Sequence, residues 1–203
     1  MHQLFELFAP NMLSRAINKR YKQGDIFTLV NNVAVIIEGV IAIDVITPQA
    51  DNLSTLRLAT LGDTLNLERV IRQPVVAKQY VVESPTAVVS LIPVGSLEDD
   101  LRSQSVELQN ILTQNILSQV LKSSDDITET VTAVGNGNAY DQVFWAIKRL
   151  CRVFNTNKVA VKNDRLAAHT GIRPETVSRA ISQLCDDGKL YRNPTLKMLE
   201  MRA

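Results

Sequence analysis

The chain has 203 residues, of which 22 are Lys or Arg and 21 are Asp or Glu, so its formal charge is +1. With 45% hydrophobic and 21% charged residues, it has the composition of a folded globular protein, which excludes a disordered chain. Residues 1–138 carry 10 basic and 15 acidic side chains, net −5, whereas residues 139–203 carry 12 and 6, net +6. This asymmetry predicts a basic module joined to an acidic one.

Three further classes are excluded by simple features of the sequence. The two cysteines, Cys151 and Cys185, are too few and too far apart for a disulfide framework or a zinc site. The start, MHQLFELFAP, lacks the basic region and long apolar core of a secretory signal. The most apolar stretch, 33–46, contains Glu38 and Asp44, whereas a membrane span needs about 18 or more nearly uncharged apolar residues. We therefore expect a cytoplasmic protein without a membrane partner.

The first 95 residues predict a β-rich domain. Leu4 to Asn18 has helical spacing interrupted by Pro10, which predicts two short helices. From Tyr21 to about Pro93, short β-branched runs alternate with turn signals such as Gly24-Asp25. This pattern predicts an antiparallel sandwich or roll over residues 1–95.

A long helix is predicted over residues 96–134, because apolar residues recur there at three-, four- and seven-residue spacings. Its apolar stripe is wide enough to cover its own domain and the same helix of a second subunit, with Asn115 setting the register. Burial of the whole helix within one chain is an equally open interpretation. The candidate dimer-interface residues are Leu101, Leu108, Ile111, Leu112, Asn115 and Ile116.

The run Gly135-Asn136-Gly137-Asn138 disfavours both helix and strand, and the charge changes sign there. We therefore place a hinge at 135–140, before a carboxy-terminal domain over residues 141–203. That domain opens with a helix capped by Asp141 and ending near Asn155. A short β-type run at 159–161 follows.

The stretch 162–184 predicts a helix-turn-helix. A short helix begins near Asp164, Gly171 permits a left-handed turn, and Pro174 lies where the next helix needs no N–H donor. On the second helix, Val177, Ile181 and Leu184 recur at helical spacing and predict a buried face. The polar residues between them are expected on the opposite, exposed face. Gly188 ends that helix, and the segments 189–192 and 196–201 form a β-hairpin wing around Asn193-Pro194. A winged helix-turn-helix results, whose second helix would enter a DNA major groove.

The segment LAAHTGIRPETVSRAISQLCDDGKL, residues 166–190, resembles the signature of the CRP/FNR family of bacterial transcription regulators. The order of β-roll, long helix and hinge is similar to that family over nearly the whole chain. The resemblance implies an α+β fold: a double-stranded β-helix (jelly-roll) domain of the cyclic-nucleotide-binding type, a long dimerisation helix and a winged helix-turn-helix. It also implies a homodimer that reads a palindrome with half-sites about 34 Å apart.

In that family an E-T-V-S-R stretch reads bases, which here implies roles for Glu175, Ser178 and Arg179. Arg179 would donate to guanine O6 and N7, and Glu175 would accept from a cytosine amino group. Because Pro174 stands where many members have Arg, the reader resembles the FNR type, and we expect TGA-type half-sites. Phosphate contacts are expected from Lys162, Thr170, Arg173, Thr176, Lys189, Arg192 and Lys197.

The cyclic-nucleotide branch of the family has an Arg-Ser or Arg-Thr pair that neutralises the cyclic phosphate. Here that position falls among Pro74-Val75-Val76-Ala77, so cyclic AMP binding of the usual kind is not expected. No cysteine precedes residue 139 to hold an iron–sulfur cluster, and His2 is a poor haem ligand at a chain terminus. We expect no cofactor and no metal, with RNA polymerase as a partner and the small-molecule effector unknown.

A second interpretation is a receiver module that binds an effector or a protein, with DNA binding secondary. An enzyme is not expected, because the sequence has neither a Gly-rich phosphate loop nor a nucleophile elbow. His169, at the end of the first motif helix, is expected at the surface or beside phosphate. Cys151 and Cys185 are expected to fill the core.

Overall fold

A computed structural model describes residues 16–47, 52–70, 77–97, 106–193 and 198–202. The chain forms two compact units. The first comprises the residues up to Ile43 together with Arg57–Asp126, and the second comprises Asp44–Leu56 together with Ile127–Ala203. The domain boundary predicted at 135–140 does not anticipate that residues 44–56 group with the carboxy-terminal residues.

Two four-stranded sheets form the β-roll that the alternating pattern predicts. Their orders are β1-β8-β3-β6 and β2-β7-β4-β5, and a 3₁₀ turn at Leu67–Val70 follows β6. The strands are β1 Ile17–Lys22, β2 Ile26–Phe27, β3 Asn32–Glu38, β4 Ile41–Thr47, β5 Asn52–Ala59, β6 Thr64–Leu65, β7 Lys78–Val82 and β8 Thr86–Pro93.

Strand β3 is buried on both faces, which explains its continuous apolar sequence. Successive side chains of a strand point to opposite faces. Ala34 and Ile36 therefore pack into one cluster with Tyr80 and Val89. Val33 and its second neighbour Val35 pack into another cluster with Ile92 and Leu97.

The prediction of helix through Asn18 is wrong at its carboxy-terminal end. Ile17 and Asn18 open strand β1, which pairs antiparallel with β8 in the register Ile17 to Leu91. Strand β8 provides hydrogen-bond partners for the backbone of β1. Because the two strands are far apart in the chain, the local spacing of apolar residues does not predict this pairing. The earlier part of the predicted helices, residues 1–15, lies outside the described residues.

Gly39 makes the tight turn between β3 and β4 with a φ of 94°. A Cβ atom there would lie 2.5 Å from the carbonyl oxygen of Thr86 and 2.9 Å from the Cα of Ala87. We expect Gly39→Ala to lower the free energy of unfolding by about 2–4 kcal/mol, from the left-handed backbone and the overlap together. Gly24→Ala is the matched control, because Gly24 has a φ of 85° and open space around it.

For Gly24→Ala we expect a loss of about 1–2 kcal/mol from the backbone alone. Urea unfolding of the two variants separates the effects. Equal losses for both would show that the close approach to β8 does not matter.

Besides a helical segment over residues 94–97, the described residues form the helices α1 Val106–Asn136, α2 Ala139–Phe154, α3 Asn163–Thr170 and α4 Pro174–Asp186. Three short strands form the wing sheet in the order β10-β11-β9, with β9 at Lys158–Val159, β10 at Leu190–Asn193 and β11 at Met198–Met201. The long helix, the helix-turn-helix and the wing confirm the α+β fold class predicted from the sequence.

The break between α1 and α2 is shorter than the predicted hinge, since only Gly137 and Asn138 separate the two helices. The predicted N-cap is also wrong by three residues. Asn138 caps α2, and its Oδ1 accepts a hydrogen bond from the Asp141 backbone N–H at 3.0 Å. The Gln142 amide then donates to the carbonyls of Val134 and Gly137, at 2.6 and 2.8 Å. These bonds satisfy backbone oxygens at the end of α1 and hold the short break in one conformation.

Candidate nucleic-acid interface

The turn between α3 and α4 has the geometry predicted from its glycine and proline. Gly171 adopts a φ of 72°, and its N–H donates to the Ala167 carbonyl at 2.8 Å, which ends α3. Pro174 lies in the first turn of α4. Its missing N–H therefore costs no helical hydrogen bond.

Helix α4 has one buried and one exposed face. Val177, Ile181 and Leu184 are at most 1% exposed and form the inner face, as predicted. On the other face Glu175 and Arg179 are exposed, and Ser178 is half-buried. These three positions are related by three- and four-residue steps, so they lie together on the outer side of the helix. The predicted base-reading residues thus share one accessible surface.

The hydroxyl of Thr176 contacts the guanidinium of Arg179. The Nη2 atom of Arg179 donates to Thr176 Oγ1 at 3.3 Å across one helical turn. Because the guanidinium is planar and has five donors, this contact leaves most of them available for a base edge or a phosphate. Thr176 was predicted as a phosphate contact, and its hydroxyl lies beside the predicted guanine reader.

Four of the predicted phosphate-contacting cations are exposed. Lys162 and Arg173 are the N-cap residues of α3 and α4, and Lys189 and Arg192 lie at the start of the wing. Positive side chains at helix amino termini add to the positive end of the helix dipole, which favours an anion there. Lys197 lies outside the described residues.

Lys189 is held at the surface by an aromatic pair. Its Nζ atom lies 4.9 Å from the ring centroid of Tyr140 and 5.4 Å from that of Phe144. The Tyr140 hydroxyl donates to Asp187 at 2.6 Å, and this hydrogen bond is the main reason that the pKa of Tyr140 is raised. The ring contacts restrict the Lys189 side chain while its charge stays exposed.

Two predictions for the end of α3 are wrong. Thr170 is 1% exposed, and its hydroxyl donates to the Leu166 carbonyl at 2.7 Å, so its side chain is not accessible to phosphate. His169 is 2% exposed and lies in the core rather than at the surface. Both residues follow Leu166 and Ala168 in a helix of only eight residues, most of whose last turn is buried. Cys151 is buried as predicted, and burial raises the pKa of its thiol.

A buried ion pair that the sequence analysis missed fixes helix α3. Arg165 Nη1 donates to Asp44 Oδ2 at 2.7 Å, and Thr55 Oγ1 donates to Asp44 Oδ1 at the same distance. The Asp44 side chain is fully buried and the Arg165 side chain is 18% exposed. A carboxylate inside the apolar strand Ile41–Thr47 was the available signal, because such a charge requires a partner.

Helix α1 carries exposed apolar side chains on one side, where Asn110 and Thr113 are also exposed. Val106, Leu117, Val120 and Leu121 are each more than half exposed. At 3.6 residues per turn they share one side of the helix, which we call the α1 stripe. Of the predicted dimer residues, Ile116 is half-buried and packs against the roll of its own chain. The side chains of Leu101, Leu108, Ile111, Leu112 and Asn115 lie outside the described residues.

Within the described residues, no cluster of three His, Cys, Asp or Glu side chains could hold a metal ion. No helix in the described part of the chain is long and apolar enough to cross a membrane. The features that the structure does bring together are a winged helix-turn-helix with an exposed polar face and a β-roll with a long helix.

Proteins with this combination of units include transcription regulators of known structure. The c-di-GMP-responsive global regulator CLP of Xanthomonas campestris is 14% identical, with full coverage of both chains and a TM-score of 0.83. A putative CRP/FNR family transcriptional regulator from Eubacterium rectale is 13% identical over 99% of this chain and 90% of its own, with a TM-score of 0.73. A CRP/FNR family transcriptional regulator from Thermus thermophilus is 16% identical over 92% of this chain and 94% of its own, with a TM-score of 0.66.

These likenesses confirm the predicted resemblance at the level of the fold. No protein-family model matches the sequence, and no curated protein sequence does either.

Proposed function

We propose that this protein is a sequence-specific DNA-binding transcription regulator that acts as a homodimer on a palindromic site. The observation that carries the proposal is helix α4, which buries Val177, Ile181 and Leu184 and presents Glu175 and Arg179 outward. A helix held in this way by a helix-turn-helix has the geometry that enters a major groove. The net charge of +6 on residues 139–203 favours a polyanionic partner.

The base-reading roles follow from side-chain chemistry. Arg179 would donate two hydrogen bonds to one guanine, Glu175 would accept from a cytosine amino group, and Ser178 would add a direct or water-mediated contact. TGA-type half-sites remain our hypothesis for the operator. Lys162, Arg173, Lys189 and Arg192 would contact phosphates, which contribute affinity without sequence information.

We propose that this protein is not regulated by cyclic AMP binding of the usual kind. Arg72 and most of the segment expected to bind a cyclic phosphate lie outside the described residues. Within the described residues, Lys78 forms an ion pair with Glu68, so its charge is already compensated. We assign no small-molecule effector. We propose RNA polymerase as a partner, a cytoplasmic location and no enzymatic activity.

Fluorescence anisotropy tests the proposal directly. The protein is titrated against a duplex with TGA inverted repeats and against a random duplex of equal length, each at two salt concentrations. At the higher salt concentration we expect the protein to bind the TGA inverted repeat at least about a thousandfold more tightly than the random duplex, as specific regulators do. Equal binding to both duplexes, lost at the higher salt concentration, would favour the receiver module with secondary DNA binding.

The α1 stripe is the proposed contact between the two copies. Exposed Leu and Val side chains on one face of a long helix are typical of a helix that packs against a second helix. We expect Leu117→Asp combined with Leu121→Asp to convert the dimer to a monomer, because the dimer would bury four uncompensated carboxylates. Ser118→Asp is the matched control, since Ser118 is exposed on the same helix but off the stripe.

Analytical ultracentrifugation gives the mass of each variant. We expect the mass of a monomer for the double Leu variant and the mass of a dimer for Ser118→Asp. A double Leu variant that keeps the dimer mass would show that this face is not the interface.

A further inference from the structure

A cluster of four charged side chains joins the β-roll to helix α1 within the first unit. Arg57 comes from β5 and Asp63 from the turn before β6, whereas Lys122 and Asp126 come from α1. The side chains of Arg57 and Asp63 are 4% and 3% exposed. Two buried, opposite charges need a structural reason, because removing each ion from water is unfavourable unless its partners compensate for the lost solvation.

Every nitrogen of the Arg57 guanidinium faces a protein oxygen. Nε donates to Asp126 Oδ2 at 2.9 Å, and Nη1 donates to Ser123 Oγ at 2.7 Å. Nη2 lies 3.0 Å from Asp63 Oδ2, as an ion pair without the alignment of a hydrogen bond. One planar group thus contacts two residues of the helix and one of the roll. A lysine ammonium cannot replace it, because it lacks the fixed fork of donors.

The charges balance only when Arg57 is present. Lys122 Nζ lies 2.6 Å from Asp63 Oδ1, but the Lys122 side chain is 50% exposed. Asp63 Oδ2 also accepts from the Thr60 N–H at 2.8 Å, which fixes the carboxylate in its turn. Without Arg57, the buried Asp63 carboxylate would keep the half-exposed Lys122 as its charged partner, and Asp126 would lose its ion pair with β5.

The cluster also fixes which face of α1 points outward. Asp126 follows Leu117 by nine residues, about two and a half turns, so the two side chains leave opposite sides of the helix. A contact that holds Asp126 against the roll therefore turns Leu117 and its neighbours on the α1 stripe away from the roll. Ile116 supports the same rotation through its apolar contact with the roll.

We propose that Arg57 is a positioning residue that sets the rotation of α1 on the β-roll and thereby presents the α1 stripe. The role of the α1 stripe in a dimer rests on the function proposed above. The contact of Arg57 with helix α1 does not depend on that function. Hydrogen exchange in the absence of DNA therefore tests the link, and a failure of DNA binding would leave that result standing.

The experiment compares amide exchange in the full-length wild-type chain, Arg57→Ala and Lys78→Ala, using mass spectrometry. We expect Arg57→Ala to accelerate exchange of the α1 amides around Ser123 to Asp126 at least about tenfold, while the amides of α4 are unchanged. Lys78→Ala removes a different ion pair of the roll and should leave α1 unchanged. Unchanged α1 exchange in Arg57→Ala would overturn the proposal.

Chemical rescue separates positioning from general damage. Ethylguanidinium replaces the atoms that Arg57→Ala removes, so millimolar concentrations should restore protection of α1, whereas tetraethylammonium should not. Loss of protection that neither cation restores would mean that Arg57 acts only through packing, against the proposal. If Arg57→Ala does not fold, Asp126→Asn provides the second variant: faster exchange in the same segment supports the link, and unchanged exchange contradicts it.

Discussion

Replacing Arg179 with Ala is expected to abolish discrimination at one base pair of each half-site while leaving the protein folded. Arg179 is exposed on α4 and makes no buried contact, so its loss should not change the free energy of unfolding appreciably. A bidentate Arg–guanine pair is worth about 1–3 kcal/mol of discrimination, or about 5- to 150-fold per half-site. Competition titrations with operators substituted at single base pairs measure this loss position by position.

Arg179→Lys is the matched control for charge. Lys keeps the positive charge but lacks the planar fork, so the salt dependence of binding should be retained while discrimination falls. If Arg179→Ala bound its operator with unchanged preference, the role assigned to Arg179 would be wrong.

Removing the buried carboxylate of Asp44 is expected to have the largest effect on stability. Asp44→Ala leaves the guanidinium of Arg165, whose side chain is only 18% exposed, without its carboxylate partner. Breaking a buried pair in this way costs about 3–5 kcal/mol, which is a large part of the stability of a typical domain. Urea unfolding followed by the fluorescence of Trp145, the single tryptophan of the chain, reports on the same unit.

Two control variants show that the effect belongs to the buried pair. Glu129→Ala breaks the exposed pair with Arg152 in the same unit and should cost no more than about 1 kcal/mol. The double variant Asp44→Leu with Arg165→Met removes both charges and should recover much of the loss. A loss below about 1 kcal/mol for Asp44→Ala would contradict the interpretation that this ion pair anchors α3.

The parts of the fold that could be predicted from sequence are those encoded locally. Gly171 and Pro174 determine the turn of the helix-turn-helix, and the spacing of Val177, Ile181 and Leu184 determines which face of α4 is buried. These constraints act within a few residues, so a pattern in the sequence is enough to find them. The break at Gly137-Asn138 was found for the same reason, although the neighbouring Gly135 and Asn136 are helical.

The parts that could not be predicted depend on partners far apart in the chain. Asp44 and Arg165 are separated by 121 residues, and Arg57 and Asp126 by 69. No periodicity relates such pairs, and although the apolar strand around Asp44 signals a buried charge, nothing in the sequence identifies Arg165 as its partner. The burial of His169 and Thr170 was missed for a related reason, because tertiary packing covers these two polar side chains at the end of α3.

Selection from a random duplex library tests whether this chain recognises one palindromic DNA sequence. Wild-type protein is used to enrich bound duplexes through successive rounds at physiological salt, and the enriched pool is sequenced. We expect an inverted repeat with TGA-type half-sites whose centres are about 34 Å apart along the duplex. A pool that stays random after repeated rounds, or that converges on a site without two-fold symmetry, would contradict it.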